Sequence, residues 1–321
     1  MKAIAYHEYG PPEVLKLEDA GTPVAGEEGV LIRVRAASVN PYDCYFFRGP
    51  LLLRLMGAGL LKPKDPRLGV DVAGVVEAVG SKVTRFRAGD EVFGTCKGAY
   101  AEVACAAEGD VVSKPANVSF EQAAAVPVAA FTALQGLRDK GRLRPGQKVL
   151  VNGAAGGVGT FAVQIAKSWG AEVTGVCRTG SVDLVRSIGA DHVVDYTQSD
   201  YTKSGRLYDL IFDTAGNRSL SENRRVLGPE GTLVLVGGPR GKWIGPLLSV
   251  LQALVMSPFV DQTLTPVMAK RSREDLIVLK DLMAAGKVTP VLDRTYPLDE
   301  VPDAMRYLEA GHTRGKVVIT M

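Results

Sequence analysis

Between Gly29 and Ala36 the chain alternates. Val30, Ile32 and Val34 share one face and Leu31, Arg33 and Arg35 the other, which is the period of a β-strand. Asp71–Val79 forms a second run, mostly Val and Ala with Gly74 inside it, and Glu91–Phe93 a third after the turn-like Ala88-Gly89-Asp90. Short strands broken by frequent Gly and Pro predict a β-rich unit up to about residue 120. Near residue 119 the pattern changes. Ser119, with Gln122 three positions on, reads as a helix start. From there strands (Lys148–Asn152, Glu172–Cys177, His192–Tyr196, Tyr208–Thr214, Gly231–Gly237) alternate with helices (Val158–Trp169, Ser181–Ile188). That rhythm predicts a parallel sheet with helices on both faces. Glu274–Ala285 reads as a helix stopped at Gly286, and Lys316–Thr320 as a last strand returning to the first unit. The expected class is α/β: a β domain from 1–120 with 291–321, and a Rossmann-type, doubly wound dinucleotide-binding domain from 121–290.

One turn in that pattern carries chemistry. Val149–Asn152 runs straight into Gly153-Ala154-Ala155-Gly156-Gly157-Val158-Gly159, with glycines at 153, 156 and 159 between a strand and a helix. A pyrophosphate site needs this arrangement: a tight turn off the strand, close backbone approach, and helix packing against the sheet. The helix N-terminus then offers N–H groups and partial positive charge to the phosphates. Gly153, Ala155, Gly156, Gly157, Val158 and Gly159 are therefore the candidate cofactor cradle. An NAD site places an acid about 20 residues further on, for the ribose 2′-hydroxyl. Here the second strand ends in Cys177-Arg178-Thr179-Gly180-Ser181, with no acid. Arg178 suits a 2′-phosphate, with Thr179 and Ser181 as hydroxyl donors, so the expected cofactor is NADPH.

Composition narrows the class of partner. The 321 residues are 46% hydrophobic and 23% charged, enough apolar material for two cores. The 38 basic and 35 acidic residues leave a net charge of +3, with no basic block of the kind that marks nucleic-acid binding. Cys44, Cys96, Cys105 and Cys177 are far apart and form no C-x-x-C, so neither a zinc knuckle nor a disulfide framework is expected. Lone cysteines fit a reducing compartment, and the opening residues lack the apolar core of a signal peptide, so a cytoplasmic location is expected. Leu51–Leu61 is short and contains Arg54, and Ile244–Val260 is broken by Pro246, Gln252 and Pro258, so neither reads as a membrane span. The apolar run Leu247–Val260, followed by the β-like Gln262-Thr263-Leu264-Thr265, could pair with its symmetry mate, so a homodimer is expected.

Several separate motifs, in order along nearly the whole chain, resemble one family. They are Ala37-Ser38-Val39-Asn40-Pro41 with Asp43, Gly69–Gly74, Ala88–Gly94, Gly98–Glu102, the glycine turn, Gly189–Tyr196 and Gly315–Val318. Together they resemble the medium-chain dehydrogenase/reductase superfamily in its zinc-free quinone oxidoreductase branch, nearest the reticulon-interacting-protein-like NADPH reductases. The resemblance implies a GroES-like β domain beside the dinucleotide domain. At the positions matching the zinc ligands of the family's alcohol dehydrogenases stand Asn40, Val70 with Asp71, and the Val126-Pro127 region, so no metal is expected. It further implies Asn40 and Tyr45 as donors to a substrate oxygen, Thr132 near the cofactor phosphates, Tyr196 and Lys316 near a ribose, and Gly237 and Gly238 under the nicotinamide. The implied activity is hydride transfer to quinones or enone-type double bonds. Leu51–Lys64, with Leu60, Leu61 and Pro63, reads as a mobile lid or pocket wall suited to a small hydrophobic electrophile. A non-enzymatic NADPH-binding sensor or scaffold is the alternative, because this fold can bind cofactor without turnover.

Overall fold

The computed structural model describes residues 1–236 and 261–321. The chain divides into two compact units: Met1–Val128 with Arg271–Gly286 and Pro290–Met321, and Ala129–Lys270 with Lys287–Thr289.

The first unit opens with a hairpin-like pair, β1 (Lys2–Ala5) and β2 (Lys16–Asp19). Next come β3 (Gly29–Ser38), β4 (Asp71–Val79), β5 (Glu91–Thr95), β6 (Val103–Ala107) and β7 (Val111–Ser113). Along β3 the alternation holds: Val30, Ile32 and Val34 are buried and Arg33 and Arg35 are exposed. At its end Ala36, Ala37 and Ser38 are all buried, so the strand finishes inside the unit, where its last side chains can only meet other protein groups. Residues 119–122 close the expected capping box, with Ser119 Oγ accepting from Gln122 N at 3.2 Å and Ser119 N donating to Gln122 Oε1 at 3.1 Å.

The second unit is a six-stranded sheet made of β8 (Lys148–Asn152), β9 (Glu172–Cys177), β10 (His192–Asp195), β11 (Tyr208–Asp213), β12 (Leu227–Leu235) and β13 (Thr263–Pro266). Its order is β10-β9-β8-β11-β12-β13, and every pair is parallel. Val149, Leu150 and Val151 of β8 have no exposed surface, as a central parallel strand covered on both faces requires. The sheet order reverses at β8, with β9 on one side and β11 on the other, and a ligand crevice opens at the carboxyl ends of such neighbours.

The tail then rejoins the first unit as β14 (Leu292–Pro297) and β15 (Lys316–Thr320). β15 lies antiparallel to β3, with Val318 opposite Ser38, in the order β14-β15-β3-β4-β5-β7. The mixed α/β class expected from the pattern, an antiparallel GroES-like sheet plus a parallel Rossmann-like one, is the observed architecture. One helix sits differently from its place in the sequence reading. Arg273–Ala284, grouped there with the dinucleotide unit, clusters with the first unit, where Asn117 Nδ2 donates to Met283 O at 3.0 Å. Gly237, Gly238 and the apolar run Leu247–Val260 lie outside the described residues.

Candidate functional site

In the second unit the turn after β8 folds as the glycine spacing requires. Gly153 has φ +84°, and a side chain there would meet Thr214 Oγ1 at 2.3 Å. Its N–H and that of Ala154 both donate to Val176 O, at 3.1 and 3.0 Å, which pins the turn to β9. Gly159 is fixed by close approach: a Cβ would lie 2.1 Å from Gly153 O. Gly156 differs from both. It has ordinary extended backbone, φ −80° and ψ 172°, and a Cβ would meet only Gly153 O at 3.4 Å. Nothing among the described residues demands glycine there, and the position is open. Gly156 is also the N-cap of the helix Gly157–Ser168, and no side chain caps that end. Helix N–H groups left without a cap, at an open backbone position, fit a pyrophosphate. Gly153, Gly156, Gly157 and Val158 are half-buried along this rim, and Ala155 and Gly159 are buried beneath it. Thr132 is half-buried on the helix Pro127–Gln135.

The loop after β9 carries the residues that the sequence reading assigned to a 2′-phosphate. Arg178 is half-buried there. Ser181 is 1% exposed, and its Oγ has no hydrogen-bond partner, an orphaned hydroxyl at the head of Val182–Ser187. Thr179, which the sequence offered as a cofactor ligand, is already committed. Its Oγ1 donates to Asp195 Oδ2 at 2.6 Å and lies 2.9 Å from Thr197 Oγ1. Tyr196 follows on the next strand's loop, 47% exposed, with its N–H on Cys177 O at 3.0 Å. Asp195, the partner of Thr179, was not singled out in the sequence reading. Its motif was visible, but its partner Thr179 stands sixteen positions earlier, and only strand pairing joins them.

The first unit holds a buried polar cluster at the inner end of β3. Asp71 accepts from Ser38 Oγ (2.8 Å), Asn40 Nδ2 (2.9 Å) and Val128 N (3.0 Å). The Lys316 ammonium donates to Asn40 Oδ1 at 2.5 Å and Val39 O at 3.1 Å, and sits 3.8 Å from Asp71. Asp43 Oδ2 accepts from Asn40 N and Tyr100 OH, each at 2.8 Å, and Asp43 Oδ1 has no partner. Burial pushes the Asp43 carboxyl up to about 7, against the opposing pull of the Tyr100 and Asn40 hydrogen bonds. Burial likewise raises Asp71, opposed by Lys316, and lowers Lys316, opposed by Asp71.

These contacts give the present partners of two residues assigned from the sequence. Lys316, assigned to a cofactor ribose, is 4% exposed with its charge inside this cluster. Asn40, assigned as a substrate donor, has its amide oxygen on Lys316 and its amide nitrogen on Asp71, because the chain buries it where its polar atoms must be satisfied from within. Tyr45 remains half-buried on Pro41–Arg48, the helix that Asn40 caps, and burial raises its hydroxyl's pKa. The segment 51–64 is tethered near its middle. Tyr9 OH donates to Ala58 O (3.0 Å) and Gly59 O (2.8 Å), and the Arg54 guanidinium lies 4.2 Å from the Tyr9 ring centre. Leu51, Leu55, Met56, Leu60 and Leu61 are each more than half exposed.

A parallel sheet with an uncapped, glycine-lined turn at its switch point, joined to a GroES-like sheet, defines a nicotinamide-dependent oxidoreductase. The comparisons agree. A family model described as "Alcohol dehydrogenase GroES-like domain" matches residues 26–116, and one described as "Zinc-binding dehydrogenase" matches residues 188–319. A 2-methylene-furan-3-one reductase from Solanum lycopersicum is 36% identical over 99% of this chain and 79% of its own length. The mitochondrial NAD(P)H oxidoreductase RTN4IP1 of Mus musculus is 33% identical over 100% and 89%. The crystal structure of Escherichia coli quinone oxidoreductase complexed with NADPH covers both chains fully, with TM-score 0.83 and 25% identity. The chain belongs to the medium-chain dehydrogenase/reductase superfamily. Among the described residues no group of three or more His, Cys, Asp or Glu could hold a metal ion, and Asn40 and Asp71 are engaged with each other and with Lys316.

Proposed function

We propose that this protein is a metal-independent NADPH:quinone or enone reductase acting on small hydrophobic electrophiles. The observation that carries the reading is Gly156, open to a ligand at the uncapped head of Gly157–Ser168. NADPH, when bound, supplies hydride to the substrate. The turn 153–159 holds its pyrophosphate, and Arg178 with Tyr196 takes the 2′-phosphate. A substrate in which oxygen is conjugated to the accepting carbon delocalises the charge that hydride brings, so hydrogen bonds suffice to steady it. Tyr45 is the donor to that oxygen. With its pKa raised it stays protonated at neutral pH and can pass on its proton. Asn40 acts behind it, capping its helix from a position that Lys316 and Asp71 hold rigid. The relatives' printed names, a methylene-furanone reductase and a quinone oxidoreductase, support the same substrate chemistry. Four free cysteines support a reducing, cytoplasmic setting, and no helix among the described residues is long and apolar enough to cross a membrane. The balanced charge supports a protein without nucleic-acid or membrane partners.

The test is NADPH oxidation with a panel of quinones, enones and aldehydes, with and without exhaustive chelation. Turnover is expected with the first two classes and no loss on chelation. Tyr45→Phe is expected to lower kcat/KM by at least about tenfold. Arg178→Ala is expected to weaken NADPH about tenfold or more while barely affecting NADH, because one charge-assisted hydrogen bond is lost. NADPH binding without turnover on the whole panel would favour a sensor or scaffold. Activity that depends on one zinc per chain would overturn the mechanism.

A further inference from the structure

We propose that Asp195 is a positioning residue for cofactor selectivity: its carboxylate ties the loop bearing Arg178 to the loop bearing Tyr196, so that both meet one 2′-phosphate. The inference rests on the 2′-phosphate reading given above. β9 and β10 are neighbouring parallel strands, and Cys177 and Asp195, their last residues, are register partners. Both loops therefore leave the sheet side by side, with Arg178 first on one and Tyr196 first on the other. The main chain joins them through Tyr196 N and Cys177 O at 3.0 Å. Beyond that point Thr179 Oγ1 lies 2.9 Å from Thr197 Oγ1, and the carboxylate of Asp195 gathers both loops. Oδ2 accepts from Thr179 Oγ1 at 2.6 Å on one loop and from Gln198 Nε2 at 3.1 Å on the other. Oδ1 accepts from Thr197 N at 2.9 Å and Thr197 Oγ1 at 2.8 Å. Four donors from two loops thus converge on one side chain. The Thr179 hydrogen bond, with those of Thr197 and Gln198, holds its pKa below the ordinary carboxylate value, so the clamp is charged and intact at neutral pH.

A carboxylate beside a phosphate also repels it, and the two effects predict opposite results. Asp195 is half-buried, and Thr179, Tyr196, Thr197 and Gln198 around it are exposed, so repulsion there is screened by water and salt to a few-fold effect. Phosphate recognition by a planar guanidinium depends on geometry, and loosening its loop forfeits that recognition. The clamp therefore outweighs the repulsion.

Dissociation constants for NADPH and NADH, and for adenosine 2′,5′-bisphosphate and ADP, test this in the intact protein by fluorescence and calorimetry. Asp195→Ala is expected to weaken NADPH and the bisphosphate about tenfold and leave NADH and ADP within twofold. Thr179→Val, which removes the cross-loop donor alone, is expected to do the same, and the double variant to be no worse than either single one. The unchanged NADH constant reports that the nucleotide unit is folded, and Thr179→Val carries the test if Asp195→Ala does not fold. A parent that prefers NADPH, with variants that leave the NADPH:NADH ratio unchanged or tighten NADPH, overturns the clamp alone. A parent that binds both cofactors equally overturns the 2′-phosphate reading and the clamp with it.

Discussion

Burial lifts the Asp43 carboxyl to about 7, so folding and protonation are coupled at this residue. The unfolded chain releases this proton near the ordinary value of 3.8, while the folded chain keeps it until about 7. Between those limits the folded state binds more protons, and stability falls as pH rises. Stability from this group is fully present below about pH 4 and lost through about pH 7. Asp71, also raised by burial, acts in the same direction. Asp43→Asn keeps an acceptor for Asn40 N and Tyr100 OH but places an amide N–H at the partnerless Oδ1 position, at a cost of about 1–3 kcal/mol. Thermal melts from pH 4 to 8 are therefore expected to show a lower but flatter profile for the variant, with part of the slope kept by Asp71. An unchanged slope would mean that Asp43 titrates normally. None of this was legible from spacing. Asn40 and Lys316 stand 276 positions apart, and only the return of the last strand brings the ammonium to the amide. The sequence marked Asn40, Asp43 and Asp71 as motif members, but their hydrogen bonds, which turn Asn40 from an open donor into a held one, follow from tertiary packing.

At the scale of elements the periodic signals served well where one face or both were buried along a whole strand. β4, β8, β9 and β15 have the extents read from the pattern, because a parallel core strand is a continuous apolar run and an antiparallel one alternates. β12 begins at Leu227, four residues before the expected start, since Gly228, Pro229 and Glu230 give no apolar signal although they continue the strand. The glycine turn was the most legible functional element, and it yields a prediction that separates structural from ligand-imposed glycine. Gly159→Ala drives a Cβ to 2.1 Å from Gly153 O and 2.9 Å from Ala154 Cα, both backbone atoms that cannot step aside. It is expected to cost at least about 1–3 kcal/mol, as overpacking does. Gly156→Ala meets only ordinary contact inside the protein and is expected to cost about 1 kcal/mol or less, for a poorer N-cap. NADPH affinity should nevertheless fall at least about tenfold in Gly156→Ala, because the methyl group takes phosphate space. Melting and titration of the two variants decide the point. Undiminished NADPH binding by a folded Gly156→Ala protein would move the pyrophosphate away from this turn.

At the scale of the whole molecule the sequence showed two units and a returning tail, but not the allegiance of every segment. Arg273–Ala284 follows the last strand of the dinucleotide sheet in sequence, yet clusters with the other unit, because a helix's buried stripe can be satisfied by any facing surface and the stripe does not name that surface. The same limit applies to association between chains. β13 is the edge of the described six-stranded sheet, hydrogen-bonded to β12 alone among the described strands, with Leu264 buried and Thr263 exposed. An edge strand presents unpaired N–H and C=O groups, and a second copy can satisfy them about a two-fold axis. We therefore propose that the protein is a dimer through this edge, with a light-scattering mass twice the chain's 34.1 kDa at micromolar concentration. Thr263→Lys sets two ammonium groups near the axis and is expected to shift the mass toward the monomer without lowering the affinity for NADPH, whose cradle lies at the other strand ends of β8 and β9. A parent that scatters as a monomer would remove the dimer, and a dimer indifferent to Thr263→Lys would place its interface on another surface.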